Sequence, residues 1–144
     1  MLASRLSRLG AAIADGIIGM IFTMPLMFVS GYWQRAMQQQ VSAVEMAVYS
    51  VAGMAIYLVL HGYFLATRGQ SIGKILARVR IVDYSTGELL PFGKLVGLRL
   101  VPVWIVSVIP IIGGFLTLID ILFIFGRERR CVHDLIAGTK VVEA

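Results

Sequence analysis

The stretch Leu9–Ser30, LGAAIADGIIGMIFTMPLMFVS, carries one charged residue, Asp15, in 22 positions. At about 1.5 Å rise per residue such a helix spans about 33 Å, close to the hydrocarbon thickness of a bilayer. The run therefore predicts a transmembrane helix. A signal peptide fits less well, because its apolar region covers about 7–15 residues and no A-x-A cleavage pattern follows here. A carboxylate inside hydrocarbon costs on the order of a few kcal/mol, so Asp15 needs a partner.

Outward from this run, Arg5 and Arg8 lie in a short basic arm, and Pro25 is expected to kink the helix's outer half. Tyr32 and Trp33 suit an interfacial anchor, and residues 31–40 read as a polar connection. A second apolar helix is expected at about 41–66, with Glu45 near one end and His61 near the other. Residues 67–94 then turn polar and bring five basic side chains, Arg68, Lys74, Arg78, Arg80 and Lys94. Within them, 71–76 reads as an interfacial helical turn, 78–83 as a strand, 84–87 as a turn and 88–90 as the returning arm of a hairpin. Residues 95–126 are apolar again but too long for one span. Pro102 and the breaker cluster from Pro110 to Gly114 divide them at about 96–109 and 114–126. A final strand is expected at 139–143.

Basic residues mark the sides of the membrane. Arg5 and Arg8, the five of the 67–94 loop, and Arg127, Arg129, Arg130 and Lys140 alternate with a second loop that holds Arg35 alone. The positive-inside rule then favours four crossings with both termini cytoplasmic. Three crossings would export the Arg127–Arg130 cluster. With four, the strands at 78–83 and 139–143 share a side and can pair. The expected fold is an all-α polytopic membrane protein, a small bundle of about four membrane segments (about 9–30, 41–66, 96–109 and 114–126) with a short cytoplasmic β element. All of it forms one domain, 1–144.

Composition agrees: 58% of residues are hydrophobic, above the 45–50% usual for soluble domains. The net charge of +5 suits anionic lipid headgroups, and no basic groove interleaved with aromatics suggests nucleic acid. One cysteine, Cys131, permits neither an intrachain disulfide nor a CxxC metal knuckle. There is no GxSxG, HExxH or phosphate loop, since Gly69–Lys74, GQSIGK, lacks the required spacing. His133–Asp134 has no third ligand or nucleophile in sight, and Asp134 is expected to cap local backbone or pair with Arg127–Arg130. Neither an enzyme nor a cofactor or metal is expected.

With four crossings, Asp15 and Asp120 each lie about 9 Å deep and His61 about 7.5 Å deep, while Arg99 enters from the same side. These residues converge on one inner-leaflet layer. Arg8, seven positions before Asp15, shares its helix face. Two readings stay open. Arg8 and Arg99 could neutralise Asp15 and Asp120 and pin the helices. Alternatively Asp15, Asp120 and His61 form an ion or proton site, with Arg8, Arg99 and Asp134 as charge partners.

Arg8 and Asp15 in RLGAAIAD, the loop GQSIGKILARVRIVD, Arg99 in LRL and the end IDILFIFGRERRCVHDLIAGTKVV together resemble the RDD family of bacterial membrane proteins, named for one arginine and two aspartates. Asp120 and Asp134 both qualify as the second aspartate. The resemblance implies a protein of the bacterial cytoplasmic membrane, and for some members sodium/proton antiport or export. Partners expected on this basis are the bilayer, a monovalent cation or proton, and further copies of the chain, because 144 residues enclose a path poorly. The alternative is a non-transporting scaffold, or a module that binds lipid through the basic loop.

Overall fold

The computed structural model describes residues 1–109 and 111–144. Helix α1 covers Arg5–Val29 and begins four residues before the apolar run, because the Ser4 hydroxyl accepts from the Ser7 amide and caps the basic arm into the helix. It runs through Pro25. The polar connection after it is helical as well: α2, Tyr32–Met37, follows the left-handed Gly31 and packs its Tyr32 ring 4.4 Å from Tyr49. Helix α3, Ala43–Arg68, opens on Ser42 as N-cap and closes on Gly69 at φ +65°, a conformation that glycine reaches without strain. A side chain at Gly69 would also strike the Ile81 carbonyl at 2.4 Å.

Beyond Gly69 the short helix α4, Ile72–Leu76, leads into β1, Val79–Asp83. Its partner is β2, Thr139–Glu143, antiparallel with Ile81 opposite Val141. A bridge from Leu2 to Val142 adds the N-terminal arm to the same sheet. The expected return arm at 88–90 is not a strand. Asp83 instead accepts at its carboxylate from the Ser85 and Thr86 amides, closing the turn, and its own amide donates to Glu88. Those hydrogen bonds, the Ser85 hydroxyl first, hold the Asp83 carboxyl at about 2.

The second apolar half is broken more finely than the sequence suggests. Helix α5, Phe92–Leu95, passes into a π-helical stretch, Val96–Leu100, and then into α6, Val101–Val108. Pro102 has no N–H for the carbonyl four residues back, Leu98, and the wide turn lies at that spot. Helix α7, Ile112–Leu122, continues as a 3₁₀ turn to Phe125, and α8, Val132–Ala137, precedes β2. Of the breaker cluster, Pro110 lies outside the described residues. Gly113 lets α7 approach α6, since a Cβ there would meet the Val106 carbonyl at 2.3 Å.

The molecule is mostly helical. Helices α1 and α3 are long and apolar enough to cross a membrane. Their faces stay exposed, with Ile17, Ile21, Val51 and Val59 among the uncovered side chains. The buried core sits at one end instead, where Ala3, Ala11, Leu65, Leu95 and the inward residues of the strands meet. That arrangement brings the polar end of α3, the basic loop and the tail together.

Candidate functional site

Asp134 is the buried centre of this end. Its side chain has no exposed surface and receives four donors. Arg8 Nη2 reaches one oxygen at 2.5 Å, and Arg99 Nη1 takes the other. The Thr139 hydroxyl donates at 3.0 Å, and the Cys131 amide at 2.9 Å as part of the cap that starts α8. Burial alone would raise this carboxyl. The charges of Arg99 and Arg8 and the Arg8 hydrogen bond outweigh it and hold the group below the ordinary carboxylate range. Arg99 comes from the π-helical stretch, and the wider turn changes which side chains face inward.

This corrects the sequence reading of the charge partners. Arg8 and Arg99 both serve Asp134 and leave Asp15 and Asp120 to other donors. The expected capping by Asp134 holds, at the Cys131 amide. The expected pairing with Arg127–Arg130 does not: Arg130 hydrogen-bonds the Asp134 and Thr139 backbone carbonyls. Shared helix face did not predict contact for Arg8 and Asp15, because Arg8 turns toward the tail that folds back over it, where it also meets the Arg129 carbonyl.

Asp15 is held by the GQSIGK loop. Ser71 Oγ donates at 2.5 Å, the Gly73 amide at 2.7 Å, and Lys74 Nζ lies 3.8 Å away. Gly73 is required: a Cβ would strike the Ala11 carbonyl at 2.2 Å and Asp15 Oδ1 at 2.7 Å. Burial first, and then the Arg99 charge, lower the Lys74 ammonium to about 8, against the opposing pull of Asp15. His61 is fully buried near this carboxylate, at 3.9 Å, but its Nδ1 accepts from the Ile72 amide. The ring proton therefore sits on Nε2, which has no partner among the described residues.

Asp120 takes His133, through Nδ1 at 2.6 Å and the backbone amide at 2.9 Å. Burial, then Arg99, lower the His133 imidazole below its usual range, so it is neutral at pH 7. The ligand atoms of Asp120, Cys131 and His133 lie within 4.8 Å of one another. Arg8 Nη2 already contacts Cys131 Sγ at 3.4 Å, and burial pushes this thiol up to about 12. A protonated thiol beside a guanidinium is a poor cation ligand.

The expected layer of Asp15, His61, Arg99 and Asp120 is thus divided: Asp15 goes to Ser71 and Gly73, Arg99 to Asp134 and Asp120 to His133. A cavity of about 520 Å³ joins two of the groups. Asp15, Lys74, Arg99 and His133 line it, and Tyr57 and Trp104 are among its other walls. Asp120 borders a different cavity, of about 290 Å³, with His133 between the two. Lys74, Ser71, Thr139 and the His133–Asp120 pair were not singled out from sequence. The signals were present in part: Ser71 follows a helix-ending glycine, and Thr139 lies five positions after Asp134.

A model of the RDD family matches residues 2–138. The chain belongs to the RDD family. It is a membrane protein of that family. The chain is also similar to an uncharacterized protein of Haemophilus influenzae, 32% identical over 95 residues. The matched region is 65% of this chain and spans 57% of that relative's length. No solved structure matches.

Proposed function

We propose that this RDD-family chain is a multi-pass protein of the bacterial cytoplasmic membrane, with four crossings and both termini cytoplasmic, that exchanges a monovalent cation such as sodium for a proton. One observation carries the reading: Asp15 and Lys74 stand 3.8 Å apart on the wall of a cavity bordered by the long apolar helices. An ammonium and a metal cation compete for one carboxylate. While Lys74 is charged it neutralises Asp15. When it gives up its proton, Asp15 is free for a monovalent cation, with Ser71 Oγ as a second oxygen. Binding of one cation then matches release of one proton. A Lys74 ammonium lowered to about 8 supports this, because the exchange falls near physiological pH. In this scheme Asp120 and His61 are not exchange groups. Asp120 is engaged by His133, and the Ile72 amide occupies the ring nitrogen through which His61 faces Asp15. A homo-oligomer supplies the enclosure that a small chain lacks.

Reconstituted liposomes with an imposed pH gradient test this. Added sodium is expected to discharge the gradient, and Asp15→Asn and Lys74→Gln to abolish the effect. Unchanged flux in Asp15→Asn ends the exchange-site reading. A second reading, a non-transporting membrane scaffold, is supported by the Asp134 clasp, which ties the N-terminal arm, the π-helical stretch and the tail together. Wild-type liposomes that discharge no gradient with sodium, potassium or lithium favour it.

A further inference from the structure

We propose that the cavity beside Asp15 is a binding site for the phosphate-class oxyanion head of an amphiphile, held between Lys74 and Arg99 with its apolar chain along Trp104. Arg99 is 4% exposed, yet its hydrogen bonds all leave from Nη1, to Asp134 and Thr139. Among the described residues, Nε and Nη2 donate to nothing. These two nitrogens form the side edge of a guanidinium, with two parallel N–H bonds spaced for a pair of phosphate oxygens. Arg99 lines the cavity, and Lys74 lines it too. A buried guanidinium with an unused fork next to an ammonium is a receptor for an oxyanion.

The wall charges agree. Lys74, Arg99 and Arg8 stand against two carboxylates, Asp15 and Asp134, which leaves one positive charge in excess. Asp15 is itself engaged, with the Ser71 hydroxyl on one oxygen and the Gly73 amide on the other. The remaining walls include Met54, Leu100, Val103 and Trp104, which solvate hydrocarbon and not a hydrated ion. At about 520 Å³ the space exceeds the roughly 30 Å³ share of one water many times over, enough for a headgroup and the start of a chain. The proposal is independent of cation exchange, because binding needs no gradient. An oxyanion seated there would draw the Lys74 ammonium from Asp15, and so would regulate exchange where exchange occurs.

Trp104 reports directly on occupancy, since Trp33→Phe leaves it as the sole tryptophan. The full chain in uncharged detergent is titrated with phosphatidylglycerol or phosphatidylcholine carrying brominated chains, which quench a nearby indole. Saturable quenching by the anionic lipid, at a half-saturation at least fivefold lower than for the zwitterionic lipid, is expected. Lys74→Gln should reduce that preference to about one, and Lys74→Arg should retain it, which separates lost charge from lost fold. Inorganic phosphate is then added as competitor. Relief of quenching at millimolar phosphate assigns the site to the free oxyanion, and persistence assigns it to the lipid headgroup. Equal quenching by both lipids, or a preference that survives in Lys74→Gln, overturns the proposal.

Discussion

Arg99 and Asp134 meet across 35 positions of sequence, and Arg8 reaches the same carboxylate from 126 positions away. Neither Arg99 nor Asp134 keeps appreciable contact with solvent. Removing one partner of such a set leaves charge buried without compensation, which costs about 3–5 kcal/mol. Asp134→Asn strands two guanidiniums and is expected to lose that much stability, read as the shift of the unfolding transition in detergent. Thr139→Val removes one donor to Asp134 and one acceptor for Arg99, and should cost about 1–3 kcal/mol. An Asp134→Asn transition within 1 kcal/mol of wild type, as an order-of-magnitude bound, contradicts the clasp.

The Gly73 position makes a sharp steric prediction. Gly73→Ala sets a methyl 2.2 Å from the Ala11 carbonyl and must push α4 from α1. Overpacking of this kind costs about 1–3 kcal/mol. Gly10→Ala is the matched control, since nothing lies within 4 Å of a Cβ there and α1 gains a better helix former, for about 0.5–1 kcal/mol. Paired melting curves should move in opposite directions.

Acid should weaken the fold through His133. Its folded-state value lies below the ordinary 6.5, mainly because it is buried and then because of Arg99. The folded chain therefore binds this proton less readily than the unfolded chain. Its contribution is fully present above pH 6.5 and is lost as the pH falls toward the lower folded value. Melting temperatures measured from pH 7.5 to pH 5 should decline. His133→Asn, which keeps a donor for Asp120, should flatten the slope. Asp83 and Asp134 do not confound the window, because a carboxylate held low in the folded chain loses its contribution only as the pH falls toward the unfolded value of about 3.9 and below.

Cys131 should be inert. The thiol is buried and pushed up to about 12, so almost no thiolate exists at pH 7.5. Maleimide added to the native chain in detergent is expected to leave the mass unchanged over an hour, and to add one label once the chain is denatured. Rapid native labelling would show that α8 opens from the rest of the buried end.

Elements whose causes are local were legible along the chain. The apolar run around Asp15 and the second run ending near His61 are long helices because their composition and capping serines demand it. Residues 79–83 form a strand, as their alternation suggested, and it pairs with 139–143. The family, too, was legible in the order of its motifs, and the gathering of charge at one end followed from where the apolar runs stop. The partners of the charged groups emerge only on folding. Spacing placed Arg8 on the face of Asp15, but a long guanidinium goes wherever a buried carboxylate is least compensated. That carboxylate is Asp134, brought in by the tail strand. The π-helical turn at Arg99 was equally hidden, because one extra residue in a turn leaves no mark on hydrophobic pattern yet rotates which side chain faces inward. Asp15, in turn, is satisfied by backbone and hydroxyl donors of GQSIGK, groups that acquire direction only when Gly69 and Gly73 let the loop close against α1.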